Sequence, residues 1–116
     1  MKFIDLQRDI AASFAEYRQN FRKYAYEIKK MALEYFGDNF LKILVFGSMV
    51  KGNYRADSDI DIAIILMKNV DEFQRAKFIS IVNKKFKLNS FEIHIISNDL
   101  WESWYKNFVK NEFIEI

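Results

Sequence analysis

The sequence contains no cysteine, no proline, only three glycines and a single histidine. Without cysteine there can be no disulfide framework, no thiolate metal site, no zinc finger and no cysteine nucleophile. One histidine means that any metal must be held mainly by oxygen ligands, which directs attention to the carboxylates. The shortage of glycine and proline leaves few positions for unusual backbone angles and no flexible linker. No apolar run approaches the roughly 20 residues that span a bilayer. The opening MKFIDLQRDIAAS has acidic and amide side chains where a signal peptide needs a clean apolar stretch. The expectation is a cytoplasmic protein with no membrane partner.

The 116 residues are 51% hydrophobic and 17% aromatic, enough apolar material for one domain over 1–116 without a metal or disulfide staple. Eighteen basic and 16 acidic residues leave a net charge of +2, and the pI near 8.8 is milder than that of a dedicated nucleic-acid binder. A sequence-specific nucleic-acid partner is not expected.

Apolar periodicity organises the chain. Ile10, Phe14, Tyr17, Phe21, Tyr24, Ile28, Met31 and Tyr35 recur at helical steps, which predicts one long helix over about 5–36 stopped by Gly37. Leu41–Phe46, Ile60–Met67 and Phe91–Ser97 are short, β-branched apolar runs that predict three strands. Between the last two, Asp71 can cap a helix reaching Phe86, long enough for a crossover, so those strands should run parallel. Asn98 and Asp99 can cap a final helix over about 99–110, with Trp101, Trp104, Tyr105 and Phe108 at helical spacing. The class is α/β (α+β), a small mixed sheet of about three or more strands flanked by helices, with its chemical core at about 40–97.

That core holds VFGSMVKGNYRADSDIDIAII, residues 45–65. A strand ending at Phe46 runs straight into Gly47 and Ser48, where ligands commonly meet a sheet edge. Gly47 admits close approach to the backbone, and the hydroxyl and amide of Ser48 suit an anion such as a phosphate. Asp59 and Asp61, one residue apart at the mouth of a strand, point to the same side, about 6–7 Å from each other. Two anions aimed at one spot call for a divalent cation, and Mg²⁺ is the one that carboxylates and phosphate oxygens share. Asp57 and Ser58 are ordinary turn residues, whereas Asp61 interrupts an apolar run. Glu92 interrupts the third strand in the same way. With adjacent strands about 4.8 Å apart it can complete a triad that binds metal or takes a proton from an attacking hydroxyl. His94 shares the face of Glu92 and reads as a satisfied core or rim histidine near it. Ser48 ends one strand and Asp59 begins the next, so for both to reach one ligand those strands must be antiparallel.

Gly47-Ser48, ten residues, then Asp59-Ile60-Asp61 resembles the signature of the polymerase-β-like nucleotidyltransferase superfamily. The short length and the form GSMVKGNYRADSDID resemble its minimal nucleotidyltransferases. The resemblance spans about residues 20–97. It implies a nucleoside triphosphate held with two Mg²⁺ ions, Ser48 on the terminal phosphates, Asp59 and Asp61 as metal ligands, and Glu92 in a third place more often filled by Asp. Lys51 and Arg55, in the insert, can reach phosphates or a partner. The implied activity is transfer of a nucleoside monophosphate, AMP from ATP, to an acceptor. Relatives of this size resemble antitoxins paired with a helical HEPN toxin, so the acceptor can be a partner protein. A homo-oligomer is also open. A second class of function fits the same residues: an antitoxin or nucleotide-binding module acting by contact alone, anchored by Trp101, Trp104 and the Tyr17–Phe21 region.

Overall fold

A computed structural model describes residues 3–53, 55, 59–110 and 112–116. The readings made for Asp57 and Ser58 lie outside the described residues. Helices α1 (Phe3–Gln19) and α2 (Phe21–Phe36) lead into strand β1 (Phe40–Phe46) and the short helix α3 (Ser48–Lys51). Strand β2 (Ile60–Leu66), helix α4 (Glu72–Lys85) and strand β3 (Phe91–Ser97) follow. The chain closes with a helical segment, made of α5 (Asn98–Leu100), a π-helical turn (Trp101–Tyr105) and α6 (Lys106–Phe108), and strand β4 (Phe113–Glu115). The strands form one sheet in the order β3-β2-β1-β4. β1 is antiparallel to β2 and β4, and β2 is parallel to β3. This is the mixed sheet flanked by helices that the sequence predicts.

Two details depart from expectation. The helix expected over 5–36 is two helices, because Asn20 leaves helical geometry at φ −117°, ψ 32°. Its side-chain amide and its backbone N–H both donate to the Glu16 carbonyl, at 3.2 and 3.1 Å, so the side chain competes for the ladder's acceptor. The last helix begins one residue earlier than expected: Ser97, not Asn98 or Asp99, is the cap, its hydroxyl accepting from the Leu100 N–H at 3.3 Å.

Period-two alternation divides the sheet into two faces. Ile43, Val45, Ile60, Ile62, Ile64, Leu66 and Ile95 pack against Ala25, Ile28 and Ala32 of α2 and Phe78 and Val82 of α4. These helices bury their residues at three- and four-residue steps. Asp71 caps α4 as expected, accepting from the Gln74 N–H at 2.8 Å. Tyr17 is the buried residue of α1. It meets Tyr24 and Phe91 edge-on and donates its hydroxyl to the Lys87 carbonyl at 2.7 Å. α1 is therefore moored at its C-terminal end.

On the opposite face Leu44, Phe46, Ala63, Ile65 and Ile96 are covered by Trp101 and Val109 of the C-terminal segment. Trp101 and Tyr17 are buried, so neither can anchor a partner at the surface. Trp104 remains exposed. No helix among the described residues is long and apolar enough to cross a membrane.

Phe78 is fully buried, its ring 5.2 Å from Phe36 and 5.6 Å from Tyr35. Phe78→Ala should remove about 3–5 kcal/mol of stability, much of what a domain this size possesses. Urea unfolding followed by far-UV circular dichroism measures the loss.

Candidate active site

The register of the sheet builds the site. The Ile60 N–H donates to the Ser90 carbonyl at 2.8 Å, and the Asn89 side chain accepts from the Phe91 N–H at 2.9 Å. The start of β2 is thereby locked beside the start of β3. Phe46 then pairs with Asp61 across the antiparallel ladder, and Asp61 with Glu92 across the parallel one. One row of the sheet therefore runs Phe46, Asp61, Glu92, and the two carboxylates project from the same face on neighbouring strands. His94 lies two residues further along that face of β3.

Burial pushes the Glu92 carboxyl above its ordinary carboxylate value, and the negative charge of Asp61 adds to the rise. His94 opposes the shift, while Asp59, immediately before β2, contributes to it. Asp59 is exposed and Asp61 half-buried. The His94 Nε2 is 3.5 Å from Asp61 Oδ1 and 3.8 Å from Glu92 Oε1. That nitrogen is buried and has no hydrogen-bond partner, contrary to the satisfied histidine expected from the sequence. The ring is wedged between Phe46 and Tyr105, with centroids 5.3 and 6.1 Å away. Asp61, Glu92 and His94 can present one ligand atom each within 4.8 Å of one another. Two carboxylates and an orphaned imidazole nitrogen form a donor set that a divalent cation would satisfy, relieving the like-charge contact.

Gly47 explains how the turn after β1 fits beside this cluster. Its φ of +79° belongs to glycine, and a Cβ placed on it would overlap the Asp61 carboxylate. The backbone thus passes against the acid where no other residue could. Ser48 opens α3, and the Gly47 carbonyl accepts the Val50 and Lys51 N–H groups, both at 3.1 Å. Lys51 comes into the same cleft, a cavity of about 370 Å³ lined by Phe46, Gly47, Asp61, His94 and the C-terminal aromatics. Ser48, Asp59, Glu92 and Arg55 are not in that lining. Ser48 and Asp59 adjoin it in the chain, Glu92 faces Asp61, and Arg55 is exposed within the insert.

Sequence reasoning did not assign Trp104, Tyr105 and Phe108 to this cleft. The signal available was an aromatic stripe on the final helix, which reads as core. A π-helical turn alters the phase of that stripe: Trp101 goes inward and Trp104 and Phe108 outward.

An acid cluster at the mouths of β2 and β3 thus faces a glycine bend on a mixed sheet flanked by helices. A family model described as "Polymerase beta, Nucleotidyltransferase" matches residues 26–113, and the chain belongs to that family. A solved structure described as a candidate nucleotidyltransferase is 31% identical with a TM-score of 0.59, over 78% of this chain and 95% of that one. Two toxin–antitoxin structures share the fold. A mutant of MntA–HpeT is 15% identical with a TM-score of 0.58, over 78% of this chain and 70% of that one. One with AMP-PNP is 18% identical with a TM-score of 0.50, over 75% and 70%. No curated protein matches.

Two outcomes are expected from this geometry. Gly47→Ala should destabilise the fold by more than about 1 kcal/mol through its positive φ. It should also displace the Asp61 carboxylate, so that any rise in melting temperature that Mg²⁺ gives wild type is lost. For Glu92 the folded pKa lies above the unfolded one, so the unfolded chain ionises first as pH rises and stability falls across that interval. Glu92→Gln should therefore melt higher than wild type at neutral pH without divalent ions. The difference should vanish below the ordinary carboxylate pKa, where both states are protonated. Calorimetric melting across pH checks this.

Proposed function

We propose that this chain transfers a nucleoside monophosphate, AMP from ATP, to a hydroxyl of a partner protein. The observation that carries the reading is the facing pair Asp61 and Glu92 beside a glycine whose backbone passes against the Asp61 carboxylate. The family match supports the reaction class, and the toxin–antitoxin structures, one of them with AMP-PNP, support a protein acceptor and an adenine nucleotide. The resemblance to minimal nucleotidyltransferases suggests a helical HEPN toxin as that acceptor.

In this reading Asp59, Asp61 and Glu92 would hold two Mg²⁺ ions, with His94 beside them. The ions, when bound, offset the charge of the triphosphate and of the departing pyrophosphate. Gly47 and Ser48 receive the terminal phosphates, and Lys51 and Arg55 add positive charge from the insert. The acceptor oxygen forms a bond to the α-phosphorus as the bond to the bridging oxygen breaks, releasing pyrophosphate. Glu92 takes the acceptor's proton. Positioning and charge neutralisation are most of what phosphoryl transfer requires, so a small domain is sufficient once a partner brings the acceptor.

The test incubates the protein with Mg²⁺, α-labelled ATP and a candidate HEPN-class partner. Label should pass to the partner with wild type and fall about a hundredfold or more with Asp59→Ala and Asp61→Ala. Transfer undiminished in both variants removes the assignment. Inhibition of the partner without any transfer shifts the function to contact alone, for which the exposed Trp104 and Phe108 are the available anchors.

A further inference from the structure

We propose that Trp104 and Phe108 form a stacking platform for the nucleobase in the cleft that Asp61 also lines; this rests on the nucleotide reading above. Both rings line the cavity that holds Gly47, Lys51, Asp61 and His94. They are four residues apart in the helical segment, with centroids 5.3 Å apart and planes within 9° of parallel. They are also exposed, at 54% and 69%, while their neighbours Trp101 and Val109 are buried. The segment thus closes the core with one set of apolar residues and offers a second set to solvent.

The occupant is fixed by what shares the cavity. Its lining combines a carboxylate, an imidazole and an ammonium group with the aromatic rings of Phe46, Trp104, Tyr105 and Phe108. A ligand that answers both is amphipathic: charged and metal-chelating at one end, planar and π-faced at the other. A nucleoside triphosphate has that form. A volume of about 370 Å³ lies within the roughly 300–1,000 Å³ usual for small-molecule pockets. Tyr105, also in the lining, is edge-on to Trp104 at 5.0 Å and to His94 at 6.1 Å. Stacking holds any base by its face, so the platform supplies affinity for the nucleoside and little discrimination between bases.

The test compares ATP with inorganic tripolyphosphate, each titrated by calorimetry with Mg²⁺ into wild type, Trp104→Ala, Phe108→Ala and Trp104→Phe. ATP should bind wild type more tightly than tripolyphosphate. Trp104→Ala should weaken ATP between about fivefold and a hundredfold, the range of a lost base–aromatic stack. Phe108→Ala should weaken it in the same direction, and Trp104→Phe should keep most of the affinity. Tripolyphosphate affinity should not change in any variant. An unchanged far-UV circular dichroism spectrum and a cooperative thermal transition show that the variants are folded. Equal affinity of wild type for the two ligands, or equal weakening of both in Trp104→Ala, overturns the platform while leaving the phosphate site intact. Unchanged ATP affinity with lost binding of a protein partner overturns it in favour of a docking surface. Failure of wild type to bind either ligand removes the nucleotide reading and the platform with it.

Discussion

The site depends on a like-charge contact imposed by sheet register. Asp61 and Glu92 are opposite each other on adjacent parallel strands, where like charges destabilise a pair. Register fixes the face from which both leave the sheet, and a one-residue slip that separated them would send the apolar side chains of β2 to the wrong face. Register is thus enforced by Ile60, Ile62 and Ile64 on the far side of the same strand. The packing that stabilises the fold is also what holds the carboxylates together.

The two faces of the sheet divide the work accordingly. One is covered by α2 and α4 and is apolar throughout. The other is apolar only from Leu44, Ala63 and Ile65 outward, and it opens at the row containing Asp61. Around that row the usual rules of a folded interior are relaxed. A glycine adopts φ of +79°, an imidazole nitrogen has no partner, and two large aromatic rings remain in solvent. Departures of this kind gathered in one place carry a cost that the rest of the molecule has to offset.

The sequence exposes these features unequally. Asp61 and Glu92 were visible because each interrupts an apolar strand, and a charge at an interior position of a short periodic run has few structural explanations. The topology followed from an ordinary argument about crossover length. The break at Asn20 was hidden, since it arises from a side-chain amide competing for one carbonyl and leaves the apolar stripe unchanged. β4 was hidden because three residues, Phe113–Glu115, are too few to show alternation and are recruited by the free edge of β1. The aromatic wall was hidden because a π-helical turn changes which residues share a face, and a stripe drawn at 3.6 residues per turn places Trp104 with Trp101. His94 was placed correctly beside Glu92 but with the wrong environment, because hydrogen-bond satisfaction depends on the second and third strands together.

The imidazole matters for the choice of Glu at position 92. A glutamate places its carboxylate one carbon further from the sheet than an aspartate would, which lengthens its reach from the strand opposite Asp61. That reach brings Oε1 within 3.8 Å of the His94 Nε2, which is itself 3.5 Å from Asp61 Oδ1. The imidazole is therefore within reach of both acids, and it counters the rise that burial and Asp61 impose on the Glu92 carboxyl. An aspartate at this position, with its shorter side chain, would hold its charge nearer the strand. Glutamate with histidine two residues on is thus a coherent way to hold a third acid at this site.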